Sequence, residues 1–205
     1  MDDMWAVVAT ERGALADDLA SLDDAAFDTP SLCAGRTVRD TVAHIIATAE
    51  MTPPKFFMKM IGSGFQFEKM TAKEIAENQG ASPAAQLEHL RGVRDRRTGP
   101  PGPKTSWLGE TIVHAEDVRR PLGLARVYPR DALVEVADFY KGSNLLIGAK
   151  RRIEGVTLRA TDTDWSHGSG PEASGPMLSL VMAMTGRAVA LDDLTGPGVE
   201  TLRGR

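Results

Sequence analysis

The chain has 205 residues, 42% of them hydrophobic and 25% charged, with a formal net charge of −4. That composition supports a sizeable core and argues against a dedicated nucleic-acid binder, which carries a basic excess or stripe. Aromatics make up only 5% and methionine occurs nine times, so the core must rest on Ala, Val, Leu, Ile and Met, a mixture suited to packed helices.

Residues 4–22 read as an amphipathic helix, with Trp5, Val8, Leu15, Leu19 and Leu22 near one face and Glu11, Arg12, Asp17 and Asp18 mostly away from it. The opening stretch is acidic and lacks the positive segment and apolar run of a secretory leader. No apolar run in the chain approaches the roughly 20 residues that span a bilayer. A loop from Asp23 to Arg36 holds the single cysteine, Cys33, so no intramolecular disulfide is expected and a cytoplasmic home follows by exclusion. Thr37-Val-Arg-Asp40 then has the form of a capping box and predicts a helix to about Glu50, with Val38, Val42, Ile45, Ile46 and Ala49 as its apolar stripe.

Pro53-Pro54 opens a further helix whose buried side is expected to be Phe56, Phe57, Met60 and Ile61. Shorter helices are predicted at 69–78 and 83–97. The arginines at 91, 94, 96 and 97 stand beside Glu88 and Asp95 and read as a solvated face. Thr98 to Lys104, rich in Pro and Gly, is a connector. Strong helices follow at 105–120 and 130–148, the second running from Asp131 through Leu133, Val136, Phe139 and Leu146. The four principal helices, 4–22, 37–50, 105–120 and 130–148, predict an antiparallel bundle. After Gly155 the pattern changes: Val156 to Ala160 alternates as a strand, Pro176 opens an apolar helix, and the last segment is broken by Gly196, Pro197 and Gly198. The expected organisation is a helical bundle over 1–150 with a small C-terminal α+β domain over 151–205.

The helix at 105–120 carries the chemistry. At about 100° per residue, Glu110, His114 and Asp117 share a sector about 60° wide, bounded by Val113, Trp107 and Val118. A carboxylate and an imidazole at i and i+4 can reach one ion, and a metal would compensate their burial between apolar neighbours. His44 is the leading third ligand, since it lies off its helix's apolar stripe among Asp40, Thr41, Ala47 and Thr48. Two histidines and one carboxylate leave an open coordination position, the form of a catalytic site. The same residues also allow a plain surface pair at i, i+4 and a solvated His44. His89 and His167 read as surface residues. Cys33 has no histidine beside it in sequence and reads as a small, packed side chain, so no catalytic nucleophile is assigned. No phosphate-binding Gly-rich loop and no GxSxG elbow is present.

Three segments resemble one family. Pro30-Ser-Leu-Cys-Ala-Gly-Arg-Thr-Val-Arg-Asp-Thr-Val-Ala-His44 resembles the second-helix signature of the mycothiol-dependent maleylpyruvate isomerase family, a DinB-like group. Gly109-Glu-Thr-Ile-Val-His-Ala-Glu-Asp-Val-Arg-Arg-Pro-Leu-Gly123 resembles its metal helix. Ala160-Thr-Asp-Thr-Asp-Trp165, Thr185-Gly-Arg187 and Leu191-Asp-Asp-Leu-Thr-Gly196 are similar to its small C-terminal domain. The resemblance implies a DinB-like four-helix bundle, a divalent ion with zinc the first candidate, and His44, Glu110 and His114 as its ligands. It also implies mycothiol, a low-molecular-weight thiol, as co-substrate. In the isomerase, thiolate adds to a cis double bond, the resulting single bond rotates, and elimination returns the trans product; related proteins keep the thiol attached, as S-transferases do. Arg187 matches a tail arginine through Thr-Gly-Arg and is the substrate-binding candidate. Arg36 stands where many relatives carry tryptophan.

The expected function is therefore a metal-dependent, thiol-using transferase or isomerase acting on a small electrophile, with Asp117 orienting a ligand from behind. One rival is a non-catalytic binding or regulatory module on the same bundle, with a structural or vestigial metal; a second is a different metal-dependent hydrolase, active without any added thiol. Neither nucleic acid nor membrane is an expected partner.

Overall fold

A computed structural model describes residues 4–145 and 147–205. The chain divides after Arg126 into two compact units. The first contains α1 (Met4–Ala20), a 3-10 turn (Asp24–Asp28), α2 (Val38–Glu50), α3 (Pro53–Gly62), α4 (Phe67–Asn78), α5 (Pro83–Gly92) and α6 (Lys104–Arg119).

Local signals start these helices where the sequence places them. The Thr37 hydroxyl accepts the Asp40 N–H, while the Asp40 carboxylate accepts the Thr37 N–H at 2.9 Å, so two orphan donors at the start of α2 are satisfied reciprocally. Thr52 and Ser82 cap α3 and α5, each with proline in the first turn. Leu15 and Leu19 of α1, Val42, Ile45 and Ile46 of α2, Leu87 and Leu90 of α5, and Ala115 and Val118 of α6 form one apolar core.

The fourth helix of the bundle is thus α5 and not the 130–148 segment. Three apolar residues at three-residue spacing, Leu87, Leu90 and Val93, suffice to fill the seam against α1 and α2. The expectation for α3 is also corrected. It buries no residue, and Phe57 and Ile61 are 59% and 64% exposed. Its main packing partner is α4, with Lys59 joined to Glu74 and Glu77, and only Phe56 and Met60 of its apolar face are half-buried.

In α1, Glu11 and Arg12 are buried, although the wheel places them mostly away from the apolar side. α1 lies between α5 and α6, so two of its faces are covered. Burial of charge is costly unless it is paired. Glu11 takes both Arg126 Nε and Nη2 at 3.0 Å, and the buried Arg119 donates through Nε to Asp18 at 2.7 Å.

The second unit, from Val127 on, contains α7 (Arg130–Tyr140), α8 (Ala149–Arg152), β1 (Thr157–Ala160), β2 (Ser166–His167), β3 (Glu172–Gly175), α9 (Met177–Met184), a 3-10 turn (Ala188–Asp193) and α10 (Gly198–Arg203). The predicted 130–148 helix stops at Tyr140, before Gly142 and Ser143; Leu146 lies outside the described residues. α7 packs on α9, an apolar helix with Met177, Leu180, Val181 and Met184 wholly buried. The sheet order is β2-β1-β3, with β1 antiparallel to β2 and parallel to β3, so that Leu158 lies beside both His167 and Ala173. His167 is therefore a half-buried strand residue rather than a surface turn residue. Gly168 and Gly170 have positive φ and press on β1, where a Cβ would collide with the carbonyl oxygens of Val156 and Gly155.

Candidate metal centre

Helix α2 carries His44 and helix α6 carries Glu110, His114 and Asp117. The two helices pack against each other in the bundle. Their ligand atoms converge: one atom each from His44, Glu110 and His114 lies within 4.8 Å of the others. His44 Nε2 is 3.6 Å from Glu110 Oε1, and the two imidazoles meet edge to face with centroids 4.8 Å apart. All three side chains are largely buried, with exposures of 20%, 14% and 16% for His44, Glu110 and His114.

Glu110 is the unusual member. Both of its carboxylate oxygens are buried and neither accepts a hydrogen bond of normal geometry, His44 Nε2 standing 3.6 Å away and Thr48 making only a weak contact. Burial pushes its pKa up, against the charges of His114 and Arg12. Burial likewise lowers the pKa of His44 well below its ordinary value, helped by the charges of His114 and Arg36. A neutral imidazole is the ligand form.

His114 is held from its other side. Its Nδ1 lies 2.9 Å from Asp117 Oδ2, and Asp117 is fully buried. In the neutral ring with its proton on Nδ1, the imidazole donates to Asp117 and leaves the Nε2 lone pair for a metal. Burial opposes charging of His114, but the bonds to Asp117 and Cys33 and the charge of Glu110 outweigh it, so its pKa is pushed up to about 10. A cation is thus favoured at this place, whether a proton or a metal.

Cys33 completes the arrangement, and the sequence gives little warning of it. Its Sγ lies 3.0 Å from Asp117 Oδ2, to which the thiol donates, and 3.4 Å from His114 Nδ1. The loop before α2 brings it there. Ser31 N–H donates to the Arg36 carbonyl at 2.9 Å, the Thr41 hydroxyl donates to Ser31 Oγ at 2.8 Å, and Leu32 N–H donates to the Asp117 carbonyl at 3.0 Å. Cys33, His114 and Asp117 form a second cluster, with possible ligand atoms also within 4.8 Å of one another, sharing His114 with the first.

The remaining candidates have their own local surroundings. Arg187 follows α9 in the C-terminal unit, with Nη1 donating to the Thr185 carbonyl at 3.1 Å. His89 pairs with Glu50 at 3.0 Å. Arg36, half-buried, borders a cavity of about 370 Å³ lined also by Asp40, Phe67, Thr71 and Ile75.

A bundle that brings two imidazoles and a buried carboxylate together from facing helices defines a class of helical proteins with a metal-type donor set. Residues 8–134 match the family described as "Mycothiol maleylpyruvate isomerase N-terminal domain", and the chain belongs to that family. It is similar in fold to a solved mycothiol-dependent maleylpyruvate isomerase, at 16% identity and a TM-score of 0.64. The match covers 96% of this chain and 92% of that one. A histidine-to-alanine mutant of such an isomerase matches over the same shares, at 17% identity and a TM-score of 0.66. These are DinB-like folds. Nothing among the curated proteins matches the chain.

Proposed function

We propose that this chain is a metal-dependent enzyme that uses mycothiol or a similar low-molecular-weight thiol on a small electrophile, as an S-transferase or a thiol-assisted cis–trans isomerase. The carrying observation is Glu110: a buried carboxylate whose oxygens accept no hydrogen bond of normal geometry, facing His44 and His114. An unpaired buried carboxylate is costly, and a cation held with two imidazoles would remove the cost. The donor set of two nitrogens and one carboxylate oxygen fits a zinc-like ion with one position open.

His44, Glu110 and His114 would hold the ion, which when bound would stabilise a thiol as thiolate, the nucleophilic form, at neutral pH. Asp117 fixes the His114 tautomer and ring orientation by accepting its Nδ1–H. Cys33 supports Asp117, donating to the same oxygen. A substrate-binding role for Arg187 is supported only by its resemblance to the family through Thr185-Gly-Arg187. A single cysteine, in no disulfide, supports a cytoplasmic setting. Among the described residues no helix is long and apolar enough to cross a membrane.

Metal analysis of purified wild type and His114→Ala tests the centre: near-stoichiometric metal in the first and none in the second is expected, and equal content would sink it. Thiol-dependent loss of an electrophile, abolished by chelator, tests the activity. A metal-loaded protein inert to a panel of electrophiles would favour a binding module instead.

A further inference from the structure

α1, packed on the helix that carries Glu110 and His114, holds a second buried and only partly hydrogen-bonded charge. Arg12 is 1% exposed. Its Nη1 donates to the Arg96 carbonyl at 3.0 Å, but Nε and Nη2 make no hydrogen bond of normal geometry, as is true of both oxygens of Glu110. Among the described residues no carboxylate forms an ion pair with Arg12, and Glu110, across the α1–α6 packing, is the acid whose charge supports it. A buried guanidinium left in this way is expensive and makes sense only as part of a larger balance of charge.

That balance can be drawn for the proposed centre, on which this inference rests. The two positive charges of a divalent ion are met by Glu110 and Asp117, with His44 and His114 neutral. Arg12 then leaves one positive charge over in a buried place. At the rim, Arg36 and Asp40 offset each other, since Arg36 acts on both Asp40 and His44. We propose that Arg12 sets the charge of the centre so that its open position takes an anion, a thiolate in preference to neutral thiol or water. Arg12 is a positioning residue in this role. It touches no reacting atom and acts through the field and through Glu110.

Cobalt(II) in place of the native ion gives a visible spectrum that reports the open position, so the test needs no turnover. Cobalt-loaded wild type is titrated with azide and 2-mercaptoethanol, which bind as anions, and with imidazole, which binds neutral. Wild type should prefer the anionic ligands. Arg12→Met should weaken them by about tenfold or more while leaving imidazole affinity unchanged, and Arg12→Lys should recover most of the loss. Equal anion affinity in wild type and a folded, cobalt-loaded Arg12→Met would overturn the inference. So would a wild-type preference for imidazole, a result that needs no variant to fold. Failure of wild type to take up cobalt is a different outcome, which removes the metal centre itself.

Discussion

Cys33 and Asp117, 84 residues apart in sequence, meet with Sγ 3.0 Å from Oδ2. The same oxygen receives His114 Nδ1 at 2.9 Å, so a loop before α2 and the end of α6 close on one carboxylate. Asp117 is wholly buried, and loss of a donor to a buried charge costs about 2 kcal/mol. Cys33→Ala should lower the stability of the metal-free protein by about that amount, whereas Cys33→Ser, which keeps a donor, should cost less. Urea unfolding of the three proteins checks this, and a Cys33→Ala midpoint equal to wild type would show the contact to be incidental.

The sequence showed part of this centre and hid part of it for definite reasons. Glu110, His114 and Asp117 lie on one helix, so its period alone places them on one face. His44 follows the Thr37–Asp40 capping box, which sets where α2 begins and thus which face each residue takes. Cys33 has no such rule. Its place depends on a tertiary bond, Leu32 N–H to the Asp117 carbonyl, between segments distant in sequence. Arg12 was hidden because a helical wheel assumes one buried face, and α1 is covered on two.

The metal-free protein should lose stability on the alkaline side. The His114 pKa is raised from 6.5 to about 10 in the folded state. A raised pKa means that folding favours the protonated form, so its stabilisation is complete below about 6.5 and disappears as pH rises to about 10. His44, lowered, acts in the opposite sense and on the acid side of its ordinary value. A bound metal would displace the proton of His114 and remove this dependence. Urea midpoints of apo and metal-loaded protein across that pH range should diverge in slope; parallel curves would refute the assignment.

Core packing gives a sharper contrast because helical pattern and burial disagree there. α3 has the more regular apolar stripe, which is why Phe57 and Ile61 read as core, yet both are exposed. α5 is short and polar in much of its length, but its Leu90 is fully buried against α1 and α2. Which amphipathic segment enters a bundle depends on what the loops allow to reach the seam, and periodicity does not encode that. Leu90→Ala should cost about 3 kcal/mol, and Ile61→Ala within about 0.5 kcal/mol. Thermal or urea unfolding separates them, and a reversed order would contradict α5 as the fourth helix.

Asp117 provides the test that joins the fold to the proposed chemistry. Asp117→Asn keeps size and an acceptor oxygen, so Leu32 can still donate to the backbone carbonyl and the Cys33 loop should stay in place. What is lost is the charge facing His114. The imidazole then gives up its strongest reason to keep Nδ1 protonated, its pKa falls toward the ordinary range, and Nε2 becomes a poorer donor. Metal affinity, measured by competition with a chromophoric chelator, should fall about 10- to 100-fold. The cost should also shrink the alkaline loss of stability in the apo protein, because both effects pass through the same contact at 2.9 Å. Unchanged metal affinity together with an unchanged pH profile would mean that Asp117 only packs.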